Sequence, residues 1–362
     1  MINLRIKIDR LPLVEPLVVR LRHTDTSVIT ENDAVLIDQS NGRLEYDLNG
    51  FSVVLHPEAS DDFDGDVILV LPGQESAHRL IRASSQHNTF LVTEQCDQLC
   101  VMCSQPPKPK HTDLFSEFTT AALLSPKGAV LGISGGEPLL HKSQLFDMLR
   151  IVSKARPDVT FHILTNGQHF EASDIPTLLQ VGTGRILWGV PLYSADPKTH
   201  DEIVGKAGAY RLLEKGLGVL VSAGASVELR TVLMRQNIAG LTDLADFVFT
   251  RLSAVNVWAL MQMERIGYGR MNWQKSFYDS SRDFAPIASA IDLSAARGID
   301  VSLYNFPLCS VPPAYRSFAP STISDWKRKY LDFCSDCDQR TACGGFFEWY
   351  SHNEGFSALG RI

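Results

Sequence analysis

Two patterns of apolar and polar residues divide the chain. Up to about residue 85, short alternating or apolar runs such as LVVRLRH (17–23) and DVILVLP (66–72) are separated by turn-forming sequences rich in Asp, Asn and Gly. This pattern predicts a β-rich N-terminal domain, residues 1–85, without a helix. From about residue 86 onward, strand-like apolar runs alternate with amphipathic stretches of helical length.

The second pattern predicts β–α units in succession, with helical stretches such as 142–155, 206–223 and 238–251. Repeated β–α units imply parallel strands with helices outside them, and right-handed crossovers curl such a sheet into a full or partial barrel. We therefore predict an α/β fold with a partial six-stranded barrel over residues 86–298 and a small C-terminal domain over 299–362. The predicted strands are 89–92, 129–134, 159–164, 186–192, 226–233 and 254–261.

Composition restricts the function more than the fold. The chain has 362 residues, of which 44% are hydrophobic and 21% charged, and its net charge is −7. Proteins that bind nucleic acid more often carry a basic stripe, so this charge disfavours such a partner. No window reaches the ~18 apolar residues of a membrane span, and the start, MINLRIKIDR, alternates like a strand rather than a signal peptide. We expect a cytoplasmic enzyme without nucleic-acid or membrane partners.

All seven cysteines fall into two groups. Cys96, Cys100 and Cys103 form a CxxxCxxC motif shortly after the first predicted barrel strand, and the other four lie near the C-terminus. Thiols in the cytosol stay reduced, so clustered cysteines indicate metal binding or catalysis before disulfides. A closed zinc site uses four ligands, whereas three thiolates leave one position open. On a four-iron cluster, three cysteines would hold three irons and a small molecule would chelate the fourth.

The CxxxCxxC motif in this place resembles that of the radical S-adenosylmethionine (SAM) superfamily. The resemblance implies a catalytic [4Fe–4S] cluster on Cys96, Cys100 and Cys103, with the amino and carboxylate groups of SAM on the fourth iron. It also implies reductive cleavage of SAM to methionine and a 5′-deoxyadenosyl radical. A zinc site or a chance spacing is the alternative for the motif alone. Met102 stands where the family commonly has an aromatic residue, and its polarizable side chain would cover the adenine.

The segment GISGGEPLL follows the second predicted strand. Gly135 and Gly136 let the backbone approach a ligand without a Cβ clash, and Glu137 adds an acceptor for a cationic group. By resemblance this GGEP motif binds the SAM amino group, and a simple turn is the alternative. At the end of the third strand, Thr165 and Asn166 are predicted to be polar lining of the same site, again with a turn as the alternative.

Later strand ends match the family less closely. VPLYSADPKTHDEIVG resembles a SAM-contacting stretch, but Pro191 stands where a Ser is common and Tyr193 replaces an Asp. Ser194 is predicted to supply the missing hydroxyl. Arg230 is a charge within an apolar run and needs a partner; the resemblance places it near the SAM carboxylate, and a structural ion pair is the alternative. MQMERIGYGR (261–270) resembles a segment that lines the SAM and substrate cleft.

The second group of cysteines consists of Cys309, Cys334, Cys337 and Cys343. Four thiolates suit either zinc or a complete four-iron cluster. Radical SAM enzymes that act on peptides often carry C-terminal auxiliary clusters with similar spacing. The resemblance therefore implies one auxiliary [4Fe–4S] cluster, in a domain of the SPASM type or its shorter twitch variant, with zinc as the alternative.

The most specific resemblance is to the radical SAM maturases of His-Xaa-Ser repeat peptide systems, in particular the C-type member. Residues 88–107 and 307–347 carry it. It implies hydrogen abstraction from a ribosomally made precursor peptide, a reductant such as flavodoxin or ferredoxin, and a second radical SAM protein as partner. The alternatives are a radical enzyme acting on a small molecule or RNA, and a zinc or iron–sulfur protein without catalysis. For the N-terminal domain, a structural role and peptide docking on an exposed strand edge both stay open.

Overall fold

The structure is a computed structural model that describes residues 4–23, 29–58 and 62–362. Its N-terminal part consists of strands, and the described residues before 85 contain no helix. Seven strands close into a barrel in the order β1-β5-β4-β3-β2-β6-β7. They are β1 (Arg5–Ile8), β2 (Leu17–Arg22), β3 (Asp33–Ser40), β4 (Arg43–Leu48), β5 (Phe51–His56), β6 (Val67–Val70) and β7 (Ser76–Ile81).

Side chains fill the inside of this barrel. Val19 and Leu21 of β2 and Val53 and Leu55 of β5 belong to a separate apolar core, as expected when alternate residues of a strand point inward. Closure pairs every strand with two neighbours. The expectation of an exposed strand edge for peptide docking is therefore wrong for the described residues, because a closed barrel has no edge strand.

The outside of the barrel packs on the helices that follow. Val18 and Leu69 share one apolar core with Phe118 of α1 (Phe115–Leu123). The side chain of Arg20 also reaches the carbonyl oxygen of Leu124 at the end of this helix, at 3.4 Å. The N-terminal barrel is thus held against the rest of the chain by buried apolar contacts.

From residue 88 onward, seven parallel strands form one sheet in chain order. Six of them agree with the predicted strands to within three residues, but the prediction of six is one strand short. The added strand, Val301–Tyr304, has only four residues, of which two are buried, so its apolar pattern is too short to recognise. This strand extends the sheet past residue 298. The strands are β8 (Asn88–Thr93), β9 (Val130–Gly135), β10 (Thr160–Leu164), β11 (Ile186–Pro191), β12 (Ser226–Val232), β13 (Val257–Met261) and β14 (Val301–Tyr304).

Helices cover one face of the sheet. Leu149 and Leu217 of the helices share a core with Phe161 and Trp188 of the strands. No described helix is long and apolar enough to span a membrane. Besides α1, the helices are α2 (Lys142–Ala155), α3 (Ile175–Val181), α4 (Pro197–Val204), α5 (Ala209–Ser222), α6 (Leu241–Arg251), α7 (Gly267–Met271), α8 (Trp273–Ser276) and α9 (Ala285–Ala296).

The opposite face of the sheet carries small and polar side chains. Gly132, His162, Gly189, Glu228 and Tyr304 alternate with residues that face the helices, so they lie on this second face. None of the five belongs to the core beneath the helices. The second face thus mixes polar residues with apolar ones such as Leu187 and Met261, whereas the face beneath the helices is apolar.

The last 58 residues after β14 contain mainly short 3₁₀ turns, such as Asp332–Cys334, and one small ribbon. Its antiparallel strands are β15 (Arg328–Lys329) and β16 (Phe346–Phe347). Arg82, just after the N-terminal barrel, forms an ion pair with Asp325 of this segment at 2.9 Å. The segment is thus tied to the rest of the molecule by side chains more than by regular structure.

Candidate active site

The three cysteines of the CxxxCxxC motif lie in the loop after β8, at the carboxyl edge of the sheet. Cys96, Cys100 and Cys103 are all partly buried. Burial raises the pKa of Cys96 to about 11 and that of Cys100 to about 12, and negative charge on the neighbouring thiols adds to both increases. The free thiols are therefore protonated at neutral pH, and a metal centre that binds them has to displace their protons.

Three glycines pack against the backbone of this cysteine loop, one just after β9, one at the end of α4 and one at the start of α7. A side chain at any of them would collide with a carbonyl oxygen of the loop. The distances from an added Cβ to these oxygens are 2.1 Å from Gly136 to Gln95, 2.7 Å from Gly205 to Leu99, and 2.5 Å from Gly267 to Cys103. Gly205 and Gly267 also have positive φ angles of 65° and 57°, which glycine adopts without strain.

Backbone hydrogen bonds accompany these contacts. They tie the cysteine loop to the end of β9, to the end of α4 and to the start of α7. The donor and acceptor pairs are Glu137 N to Gln95 O (2.7 Å), Leu99 N to Val204 O (3.0 Å), Val101 N to Ile203 O (2.9 Å) and Tyr268 N to Cys103 O (2.8 Å). The fold itself therefore fixes the path of the loop that carries the three thiols.

The sequence predicts that Gly135 and Gly136 allow a ligand to come close to the backbone. The structure gives both a packing role as well, because an added Cβ on Gly135 would lie 2.7 Å from the carbonyl oxygen of Thr93. The segment 261–270, predicted to line the cleft, reaches the cysteine loop through Gly267. The predicted ligand contacts of these residues stay predictions.

Glu137 is completely buried, with 0% of its surface exposed. Its carboxylate accepts hydrogen bonds from the Leu139 amide (2.8 Å), the Thr165 hydroxyl (2.6 Å) and the Asn166 amide (2.5 Å). Burial raises its pKa in spite of these donors. The carboxylate joins the ends of β9 and β10. It thus brings together Glu137 with Thr165 and Asn166, which were predicted from two different motifs. The contact of Glu137 with a SAM amino group stays a prediction.

Asp97 is a residue of the cysteine loop that sequence analysis missed. The side-chain amide of Asn166 donates to it at 2.8 Å, and Lys206 and His169 contact its other oxygen. A carboxylate between two cysteines of a candidate metal site is a signal that a counter-charge is needed. The sequence does not reveal this partner, because Lys206 lies 109 residues further along the chain.

Met102 and Tyr193 are both buried in one apolar cluster beside the cysteine loop. Burial raises the pKa of Tyr193, and the thiol of Cys100 contributes to the increase, so this ring lies close to the motif. The hydroxyl of Ser194 accepts a hydrogen bond from the amide of Asp196 at 3.0 Å, within the turn before α4. The predicted contacts of Met102 and Ser194 with SAM stay predictions.

Arg230 has the ion-pair partner that the sequence required. It pairs with Glu228, which also accepts from the Tyr304 hydroxyl at 2.9 Å and lies 3.2 Å from Nε2 of His162. Burial opposes ionisation of Glu228, but His162 and Arg230 outweigh it and lower its pKa to about 2. Gly189 of β11 leaves room for the contact between His162 and Glu228, since a Cβ added at Gly189 would lie 3.1 Å from the His162 ring. The ion pair that was the alternative is present, and a contact of Arg230 with SAM stays a prediction.

The four C-terminal cysteines line one pocket, together with apolar side chains such as Leu308 and Phe346. Burial raises the pKa of Cys309 to about 11. Cys343 accepts hydrogen bonds from the amides of Leu308 and Gly345, both at 3.3 Å. Four thiols around one pocket match the donor set of a structural zinc site or of a complete four-iron cluster.

Among the described residues, no three His, Cys, Asp or Glu side chains converge on the position of one metal ion. The two cysteine sites contact a common apolar cluster, which includes Trp273, Phe277 and Phe356 and is touched by Cys100 and Cys309.

Comparison with known families identifies the central part of the chain. Residues 90–248 match the family model described as the radical SAM superfamily. The matched range begins in β8 and ends in α6, so it contains the cysteine loop and the ends of β9 and β10.

Two curated relatives and one solved structure extend this comparison. The chain is 23% identical over 253 residues to the PqqA peptide cyclase of Granulibacter bethesdensis, a match that covers 67% of this chain and 63% of the relative. It is 28% identical over 159 residues to the AdoMet-dependent heme synthase of Methanosarcina barkeri, covering 42% and 43%. The chain thus spans less than two thirds of the length of either relative.

The solved structure is native anSMEcpe with bound AdoMet and Cp18Cys peptide. It superposes with a TM-score of 0.53 at 12% identity, over 75% of this chain and 91% of that one. At this identity the likeness shows the fold alone.

Proposed function

Since residues 90–248 of this chain form a radical SAM domain, we propose that the protein reductively cleaves SAM and uses the resulting radical to modify a ribosomally made peptide. The observation that carries the proposal is the cysteine loop, whose three thiols are fixed at the carboxyl edge of a parallel sheet by glycines from three other loops. Catalytic groups of β–α barrels lie at this edge.

Cys96, Cys100 and Cys103 would hold a [4Fe–4S] cluster, and the cluster would supply the electron that cleaves SAM. Three thiols on a loop fixed by backbone contacts suit this group, because they leave one iron for a ligand other than protein. We assign the SAM-binding role to residues around this loop. They are Met102, Gly135, Gly136, Glu137, Thr165, Asn166, Ser194 and Arg230.

We assign a second, auxiliary [4Fe–4S] cluster to Cys309, Cys334, Cys337 and Cys343, which line one pocket. The segment 299–362 would then contain β14, the last strand of the sheet, followed by a small domain of the SPASM or twitch type. It would stand beside a partial barrel over 86–298 and the N-terminal domain over 1–85. Zinc is the competing occupant of this pocket, and metal analysis separates the two.

For the substrate we propose a precursor peptide, in particular one with His-Xaa-Ser repeats. Two of the compared proteins have peptides in their descriptions, the PqqA peptide cyclase and the structure with a bound Cp18Cys peptide. A reductant such as flavodoxin or ferredoxin would deliver the electron, and a second radical SAM protein would act on the same peptide. The site of action would be the cytoplasm.

The test begins with anaerobic reconstitution of the full chain. About eight iron atoms per chain are expected for two four-iron clusters, with 5′-deoxyadenosine formed from SAM under reducing conditions. Cys100→Ala should lose about half of the iron and all deoxyadenosine formation. Normal deoxyadenosine formation by this variant would contradict the proposal, and about four iron atoms with one zinc would contradict the auxiliary cluster.

The substrate is tested separately, by co-expression with a peptide of several His-Xaa-Ser repeats and mass spectrometry of the peptide. A mass change that depends on Cys100 supports peptide modification. An unchanged peptide together with active SAM cleavage would favour another substrate, such as a small molecule or RNA.

A further inference from the structure

Asp97 is the only acidic residue between Cys96 and Cys103. Its side chain is 26% exposed, so its charge is only partly screened by water. Asp97 directly follows Cys96 in the loop whose backbone is packed against Gly136, Gly205 and Gly267. A change of charge at Asp97 therefore acts next to the thiols of the proposed first cluster.

Lys206 and His169 face this carboxylate. Nζ of Lys206 donates to Oδ2 of Asp97 and also to Gln168 at 2.9 Å, and Nε2 of His169 lies 3.2 Å from the same Asp97 oxygen. The side-chain amide of Asn166 holds the other oxygen at 2.8 Å. Burial opposes ionisation of Asp97, but His169 and Lys206 outweigh it and hold its pKa well below the usual range.

Lys206 is placed at this carboxylate by the same backbone contacts that hold the loop. It follows Gly205, which ends α4 in the left-handed conformation and packs against the carbonyl oxygen of Leu99. The amide of Leu99 in turn donates to the carbonyl of Val204 at 3.0 Å. Lys206 and the cysteine loop are therefore fixed relative to each other. Removal of the Lys206 charge thus acts at Asp97, beside Cys96.

Reduction adds an electron to a cluster that already carries negative charge on its thiolates. A nearby carboxylate makes this step less favourable and a nearby cation makes it more favourable, since net charge is one determinant of a cluster's potential. Without a counter-charge, Asp97 would oppose reduction of a cluster on the adjacent cysteine. Lys206 is placed to offset this effect.

We propose that Lys206, paired with Asp97, is a positioning residue that sets the reduction potential of the cluster bound by Cys96, Cys100 and Cys103. The inference rests on the cluster of the proposed function and concerns its electron uptake, independently of any substrate. It predicts opposite effects for the loss of either charge and cancellation when both are lost.

The test compares Lys206→Met, Asp97→Asn and the double variant in the reconstituted full chain, with SAM and peptide absent. The midpoint potential of the first cluster is measured by an EPR-monitored redox titration, with Cys334→Ala as the background if the auxiliary signal overlaps. Lys206→Met should lower the potential, Asp97→Asn should raise it, and the double variant should return close to the unaltered protein. We expect about a tenfold change in the reduction equilibrium, or about 59 mV for one electron.

Lys215→Met is the matched control, because it removes an exposed lysine from α5 without touching the cysteine loop. A potential of Lys206→Met equal to that of the control would overturn the inference, as would a double variant as low as Lys206→Met. Loss of cluster iron from both single variants would show that the pair only holds the loop together. A protein that binds no cluster before any substitution would contradict the proposed function as well, whereas a bound cluster with an unresponsive potential contradicts this inference alone.

Discussion

The two cysteine sites differ in what holds their thiols in place. The first three cysteines lie on a loop that is fixed by backbone hydrogen bonds and by glycine contacts from the ends of β9, α4 and α7. The four C-terminal cysteines lie in a segment of short turns with one ribbon of two-residue strands. The surrounding backbone therefore fixes the positions of the thiols in the first site. In the second site the positions of the thiols depend much more on the side chains of the C-terminal segment itself.

This difference predicts different responses to damage. A site made by the fold fails when the backbone contacts fail, even if all thiols are present. A site in a segment with little regular structure resembles a small domain, which gains much of its stability from a bound metal or another cross-link. Three substitutions test this contrast, beginning with the one that should have the largest effect.

Gly136→Ala should remove the first site without changing a cysteine. Its Cβ would lie 2.1 Å from the carbonyl oxygen of Gln95 and 3.0 Å from Cβ of Cys96, so the cysteine loop has to move. Overpacking of this kind costs roughly 1–3 kcal/mol or more. We expect loss of about half of the bound iron and of deoxyadenosine formation, measured by metal analysis and chromatography.

The matched control is Gly218→Ala in α5, where an added Cβ meets nothing within 4 Å. Alanine in a helix is more favourable than glycine by about 1 kcal/mol, so this variant should be at least as stable as the unaltered protein. Full iron content and normal SAM cleavage in Gly136→Ala would show that the backbone contacts do not build the site.

Cys334→Ala should have a smaller and more local effect. It removes one of the four thiols that line the C-terminal pocket, while the contacts of the first loop remain. We expect loss of the auxiliary metal and faster proteolysis of the last 58 residues, with SAM cleavage in the absence of peptide retained. Metal analysis measures the first effect, limited proteolysis with mass spectrometry measures the second, and deoxyadenosine formation measures the third. Loss of SAM cleavage while the first cluster is still seen by EPR would mean that the two sites are not separable.

Arg82→Ala should have the smallest effect, confined to the attachment of the C-terminal segment. Burial alone would raise the pKa of Asp325, but Arg82 outweighs burial and lowers it from 3.8. A carboxylate with a lowered pKa stabilises the folded state above its ordinary pKa, and this contribution is lost as the pH falls below about 4. Since Asp325 is 37% exposed, we expect a loss of about 0.5–1 kcal/mol at neutral pH.

Thermal unfolding at several pH values measures this contribution. The melting temperature of Arg82→Ala should be lower by about 1–3 °C at pH 7 and should approach that of the unaltered protein as the pH falls below 4. Arg10→Ala, at an exposed position near the N-terminus, serves as the control. An equal difference at all pH values would point to lost packing of Arg82 instead of the ion pair.

Local patterns account for the parts of the fold that the sequence predicted correctly. The helix over 142–155 agrees with α2 because buried residues such as Leu145, Leu149 and Val152 recur at helical spacing. The buried parallel strands gave apolar runs that are visible without knowledge of their partners. β14 was not predicted because two buried residues are too few to define a period.

Contacts between distant residues account for what the sequence could not show. Closure of the N-terminal barrel depends on β1 pairing with both β5 and β7, which no local pattern encodes. The pairing of Asp97 with Lys206 and the packing of Gly205 on Leu99 depend in the same way on the arrangement of whole elements. The partner of Arg230 could have been predicted from the sequence, because Glu228 lies two residues away on the same face of a strand.

The apolar cluster that touches both Cys100 and Cys309 separates two kinds of damage. A substitution inside this cluster would disturb the packing beside both cysteines, whereas the loss of one thiol acts at one site only. Apolar packing, and not a shared ligand, is therefore what the two cysteine sites have in common.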